Sequence, residues 1–184
     1  WGNKSLPELR EDANGIVALT TNGAVDVSTS GDIDVESYYG TAIGIYARTS
    51  NGGEISIAND GDISVYSGSL QAFGIFAFNY YGGDVTVNNS GDISVEGQSF
   101  EAGIFAITPD SITIINDGSI AVNSSAVAFG IYANSAYQIS IDNSGDIAVD
   151  ASGYAAGIYA SSNFGDITIS NSGDINSSAY DTYG

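Results

Sequence analysis

Residues 89–116 read NSGDISVEGQSFEAGIFAITPDSITIIN, and most of the chain is a set of variations on this stretch. Three pieces within it alternate with a period of two: Asp92-Ile93-Ser94-Val95, Gly103-Ile104-Phe105-Ala106 and Ser111-Ile112-Thr113-Ile114. β-Branched residues at every second position, separated by Gly, Asn, Ser and Asp, mark strands. A unit of this length that already holds three strands and three turns leaves no room for a helix.

The same pieces recur along the chain. Gly-Ile-aromatic-Ala starts at Gly44, Gly74, Gly103, Gly130 and Gly157, with the variant GIVA at Gly15. Ser/Asp-Gly-Asp-Ile places its glycine at Gly31, Gly61, Gly91, Gly145 and Gly173, with DGSI at Gly118. Both landmarks advance in steps of 27 to 30 residues. A fixed period of this size is the signature of a solenoid. The sequence therefore predicts an all-β fold, a right-handed parallel β-helix with three strands per coil and about six coils of 27–30 residues. Stacked at about 4.8 Å, six coils make a rod about 29 Å long.

Alternation assigns the faces. Ile33/Val35, Ile63/Val65, Ile93/Val95, Ile120/Val122 and Ile147/Val149 are predicted to point inward, as are the β-branched pairs of the middle tetrads, such as Ile112 and Ile114. Asn59, Asn89, Asn116, Asn143 and Asn171 recur at one corner, with Thr29 in the first coil, and predict a ladder of amides bonded coil to coil. Residues 1–13 read as an N-terminal cap: Ser5-Leu6-Pro7-Glu8 matches a capping box, with room for a short helix. Residues 14–184 read as a single β-solenoid domain with an open C-terminal end. A chain that begins at Trp1 and has no methionine reads as processed or excised.

Composition narrows the chemistry. The chain lacks histidine and cysteine, which excludes Ser-His-Asp and Cys-His nucleophile systems, zinc sites of the usual ligands and disulfides. Its net charge of −19 makes nucleic acid and anionic lipid poor partners. The longest apolar run, Ala126 to Ala133, is too short for a membrane span. No coil breaks the repeat with a unique carboxylate cluster, so catalysis is not expected.

The combination of N-[SD]-G-D-I-x-V with A-x-G-I-[YF]-A, over roughly Asn14 to Ile175, resembles the β-helical passenger repeats of bacterial autotransporters and related adhesin-like surface proteins. The resemblance implies a structural stalk or fibre segment on a bacterial cell surface or outside the cell, with homotypic subunits or more of the same solenoid as its partners. A ligand-binding adhesive module for glycan or host matrix is the alternative.

Two columns are candidate sites. Asp32, Asp62, Asp92, Asp146 and Asp174 form an acidic column interrupted by Ser119. Adjacent carboxylates about 4.8 Å apart repel by roughly 0.9 kcal/mol even in bulk water. Ca2+ would relieve that repulsion. Alternatively the carboxylates accept backbone N–H groups in their turns, or remain solvated. Tyr46, Phe76, Phe105, Tyr132 and Tyr159 form an aromatic column that faces outward if Ile45, Ile75, Ile104, Ile131 and Ile158 face the core. Such a stripe offers a partner contact or a sugar-binding surface. The opposing expectations are reversed parity, or burial under loops such as Tyr38-Tyr39-Gly40 and Tyr80-Tyr81-Gly82. No cofactor is required.

Overall fold

The computed structural model describes residues 11–180, so the expected N-terminal cap helix lies outside the described residues. The first three coils comprise β1 (Ala13–Thr20), β2 (Val25–Thr29), β3 (Ile33–Ser37), β4 (Ala42–Thr49), β5 (Ile55–Asn59), β6 (Ile63–Ser67), β7 (Ala72–Asn79), β8 (Val85–Asn89) and β9 (Ile93–Gly97). The next three comprise β10 (Phe100–Thr108), β11 (Ile112–Asn116), β12 (Ile120–Ser124), β13 (Val127–Ser135), β14 (Ile139–Asn143), β15 (Ile147–Ala151), β16 (Tyr154–Ser162), β17 (Ile167–Asn171) and β18 (Ile175–Ala179). Each coil contributes one long strand and two short ones. No helix occurs among the described residues, so none is present there that could cross a membrane.

The strands assemble into three parallel six-stranded sheets. The long-strand sheet runs β1-β4-β7-β10-β13-β16, the middle sheet β2-β5-β8-β11-β14-β17, and the third sheet β3-β6-β9-β12-β15-β18. Register places each residue on its repeat equivalent: Ile93 pairs with Ile63 and Ile120, and Ile112 with Val85 and Ile139. This is the predicted parallel solenoid of three strands per coil. Inward residues of all three sheets form one aliphatic core, in which Ile45, Ile57, Ile75, Ile104, Ile114 and Ile131 are 0–1% exposed. Full burial of an aliphatic side chain of this size contributes about 1.5–3 kcal/mol.

The recurring asparagines form the predicted ladder. Each Nδ2 donates to the Oδ1 of the next coil: Asn59 to Asn89 at 2.8 Å, Asn89 to Asn116 at 2.8 Å, Asn116 to Asn143 at 2.7 Å and Asn143 to Asn171 at 2.7 Å. The same Nδ2 also donates to a carbonyl of its own turn, as from Asn116 to Gly118 at 2.6 Å. Bidirectional bonding explains why an amide is repeated here: a carboxylate lacks the donor and a hydroxyl has one proton to give. Thr29 occupies the position beneath Asn59, whose buried Oδ1 has no hydrogen-bond partner.

The Gly-Ile-aromatic-Ala glycine is required by close approach. In β4, Ala42 and Ile45 both join the core, three positions apart, while Ile43 between them faces outward and the pairing register with β7 omits Gly44. The strand therefore bends at Gly44 and period-two alternation restarts after it. A Cβ on Gly44 would sit 2.5 Å from the Gly74 carbonyl oxygen and 2.5 Å from Ile63 Cγ2. Only glycine lets successive coils stack there. Coil length is set elsewhere: the turns after β4 and β7 pass through left-handed backbone at Gly52-Gly53 and Gly82-Gly83, which the shorter later coils do without.

This packing makes adjacent positions unequal. Ile93 is 1% exposed and Ser94 beside it faces solvent. Ile93→Asp is expected to cost several kcal/mol and to disrupt the coil, because a buried carboxylate would have no partner. Ser94→Asp should shift stability by less than about 0.5 kcal/mol. Chemical denaturation of the two variants checks the assignment, and similar losses in both would refute it.

Candidate functional site

Both columns lie where alternation placed them, and their local surroundings differ. The aromatic column stands on the outer face of the long-strand sheet, because Ile45, Ile75, Ile104 and Ile131 occupy the core at 0% exposure. Its rings stack face to face along the rod: Phe76 on Phe105 with centroids 5.0 Å apart, Phe105 on Tyr132 at 4.7 Å and Tyr132 on Tyr159 at 5.0 Å, interplanar angles 11–12°. Tyr46 closes the series edge-on to Phe76 at 5.3 Å. Coil spacing and aromatic stacking distance coincide, so a ring repeated once per coil falls into an attractive geometry.

A second row of side chains lies beneath these rings. The bend at each glycine turns Ile43, Phe73, Ala102 and Phe129 outward, where they pack with the column into a separate apolar cluster. Phe73 contacts Phe76 at 5.0 Å and Phe105 at 5.3 Å, and Phe129 contacts Tyr132 at 5.1 Å and Tyr159 at 5.7 Å. These supporting residues escape a strict period-two reading, which sends the residue before each glycine inward. Their signal is the position itself, occupied by Asn14 in the first coil and then by Ile43, Phe73, Ala102, Phe129 and Ala156, and never by a charge. The tyrosine-rich loops do not cover the column. Tyr38 leans on Tyr66 of β6, while Tyr80 and Tyr81 pair with one another beyond Phe78, and all but Tyr66 of these loop tyrosines are more than half exposed.

The five aspartates are exposed, one per coil, on the corner leading into the third sheet. Their partners are backbone groups of the following coil. Asp32 Oδ1 accepts from the Asp62 N–H at 3.1 Å, Asp62 from Asp92 at 2.9 Å, Asp92 from Ser119 at 2.8 Å and Asp146 from Asp174 at 2.8 Å. Each of these four carboxylates thus caps a turn donor one coil away rather than in its own turn, and Asp174, in the last coil, has no following coil to cap. Beside the column a shallow outer groove of about 440 Å3 is lined by Asp32, Asp34, Asp62, Asp92, Ser64 and Ser94. Among the described residues no three acidic side chains converge on one point.

One titratable group went unnoticed in the repeat. Glu101 stands in β10 at a core position whose register partners are Ala72 and Ala128, and it is 0% exposed. Its Oε1 accepts the Ser99 N–H at 2.9 Å, while Oε2 is buried without a partner. Gly97 makes the space: a Cβ there would strike Oε1, and its neighbour in the next coil is Ser124. Burial raises the Glu101 carboxyl above its ordinary value, opposed by the Ser124 hydroxyl and by backbone N–H groups of Ser99, Phe100 and Gln98. A glutamate where the other coils carry alanine was visible in the sequence, but its inward direction followed only from the register.

Comparison of the chain with protein-family models, curated proteins and solved structures finds no match.

Glu101 generates a pH prediction. Because its folded pKa is raised, the protonated form is favoured by folding. Stability is greatest below the ordinary carboxylate range and is lost as pH rises through the raised pKa. Glu101→Gln is isosteric and stays neutral. Its stability relative to the parent should rise from about pH 4 to about pH 7, as the parent's carboxyl is forced to ionise within the core. Thermal unfolding across this range checks it; a difference independent of pH would contradict it.

Proposed function

We propose that this chain is a non-catalytic structural segment of an extracellular or bacterial-surface fibre or adhesin, extended axially by further solenoid. The observation that carries this reading is the state of the last coil. Ile167, Ile169 and Ile175 belong to the columns that are fully buried elsewhere, yet they are 41–46% exposed. A further coil, from the same chain or another subunit, would bury them and supply donors and acceptors to β16, β17 and β18. The outward residues of β17 and β18 are Thr168, Ser170, Asn176 and Ser178, with no charge to oppose strand addition. The repeat's likeness to autotransporter passengers supports display outside the cell, and a chain without cysteine needs no particular redox compartment.

The glycan-binding alternative draws less support from the aromatic column. Sugars pack against open ring faces, and here the faces from Phe76 to Tyr159 are occupied by neighbouring rings. No cofactor is needed for a structural role. Calcium bridging between neighbouring aspartates would add axial cohesion without changing the reading.

Solution scattering at rising concentration tests the axial reading. Particles are expected to lengthen at constant cross-section. Ser177→Pro, which removes a backbone donor from the open edge of β18, should suppress the lengthening. A parent chain that remains a short rod at every concentration would overturn it.

A further inference from the structure

The distribution of charge around the rod is uneven. The middle and third sheets carry exposed carboxylates on their outer faces, among them Asp26, Asp142, Asp34, Glu36, Glu96 and Asp150. The outward positions within the strands of the long-strand sheet carry none among the described residues, and a single carboxylate, Asp12 just before β1, borders that face at one end beside Ile43, Tyr46 and Phe73. There the aromatic column is flanked by Leu19, Phe78, Ile107, Asn134 and Ser161, and by Arg48, the one basic side chain among the described residues. In a chain of net charge −19, this is the face on which another acidic body meets least repulsion.

The geometry of the rings narrows what fits this face. With their faces stacked along the rod axis, they present edges outward, forming a ridged apolar surface backed by Phe73 and Phe129. Such a surface suits interdigitation with another ridged apolar surface. A basic partner would find a single carboxylate, Asp12, at one end of it, and an anionic partner would find a single arginine. Six strands at about 4.8 Å, each eight or nine residues long at about 3.3 Å per residue, cover about 800 Å2. Two such faces would bury about 1,600 Å2, within the range of specific interfaces.

We propose that the aromatic face of the long-strand sheet is a lateral pairing surface for a second copy of this chain, the two rods lying side by side with their acidic sheets turned outward. The pairing is isologous, each copy contributing the same stripe. It extends the reading of the chain as an assembling structural segment by naming a lateral partner, and it uses a surface separate from the open axial end.

The test uses the full chain carrying Ser177→Pro, so that axial growth is suppressed, studied by sedimentation velocity and small-angle scattering at low and high NaCl. A dimer of unchanged length and enlarged cross-section is expected, strengthened by salt because screening relieves repulsion between two acidic rods. Asn134→Asp with Ser161→Asp places two carboxylates on the face with little change in side-chain size, and is expected to weaken dimerisation by about tenfold or more. Thr113→Asp with Ser140→Asp adds the same charge to the middle sheet and should leave dimerisation nearly unchanged. Circular dichroism of both double variants reports whether the solenoid is intact. A chain monomeric at all concentrations and salts, or equal responses to the two double variants, would overturn lateral pairing. Failure of the parent chain to lengthen, with lateral dimers intact in the proline variant, would instead overturn the axial reading alone.

Discussion

In a parallel stack with one repeat per coil, every side chain sits directly above a copy of itself, about 4.8 Å away. That constraint governs this molecule. Each position must hold a residue that tolerates its own kind as its nearest neighbour, and the repeat can be read as the set of residues that do so. Isoleucine and valine gain dispersion contacts from a like neighbour and fill the core. Asparagine is both donor and acceptor and bonds to itself through a buried ladder. Aromatic rings at this separation stack nearly parallel.

Carboxylates tolerate their own kind least, and their placement reflects it. The aspartate column lies exposed in high dielectric, where every carboxylate but that of Asp174 in the last coil also accepts a backbone N–H from the next coil. Ser119 interrupts the series of charges and still donates its own N–H to Asp92. The single inward carboxylate, Glu101, has no like neighbour at all, being flanked along its sheet by Ala72 and Ala128. The asymmetry between charged and uncharged faces follows from the same constraint: rings placed in register make a long apolar stripe, and the exposed carboxylates carried on strands stand on the other two sheets.

The core was legible in the sequence because its signal is redundant. Ile93 and Val95 alternate within a strand and recur across coils, so either period alone identifies them. The amide ladder was legible for the same reason. The outer apolar layer was not, because the bend at Gly44 and its equivalents breaks alternation and turns Ile43, Phe73 and Phe129 outward. Carboxylate partners were misplaced by one coil: a sequence shows which donors lie near Asp62 along the chain, whereas its partner, the Asp92 N–H, comes from a residue stacked above. Glu101 required the register to establish that it points into the core.

The central claim is that in-register self-pairing between coils holds the rod together, and Asn116 tests it most directly. Its Nδ2 donates to Gly118 and to Asn143, and its Oδ1 accepts from Asn89. Asn116→Asp keeps the shape, removes both donations and places a charge in a fully buried position. Equilibrium denaturation should give a loss of about 3 kcal/mol or more, from two orphaned acceptors and one unpaired carboxylate. A variant within about 0.5 kcal/mol of the parent, the range of ordinary surface changes, would contradict the account.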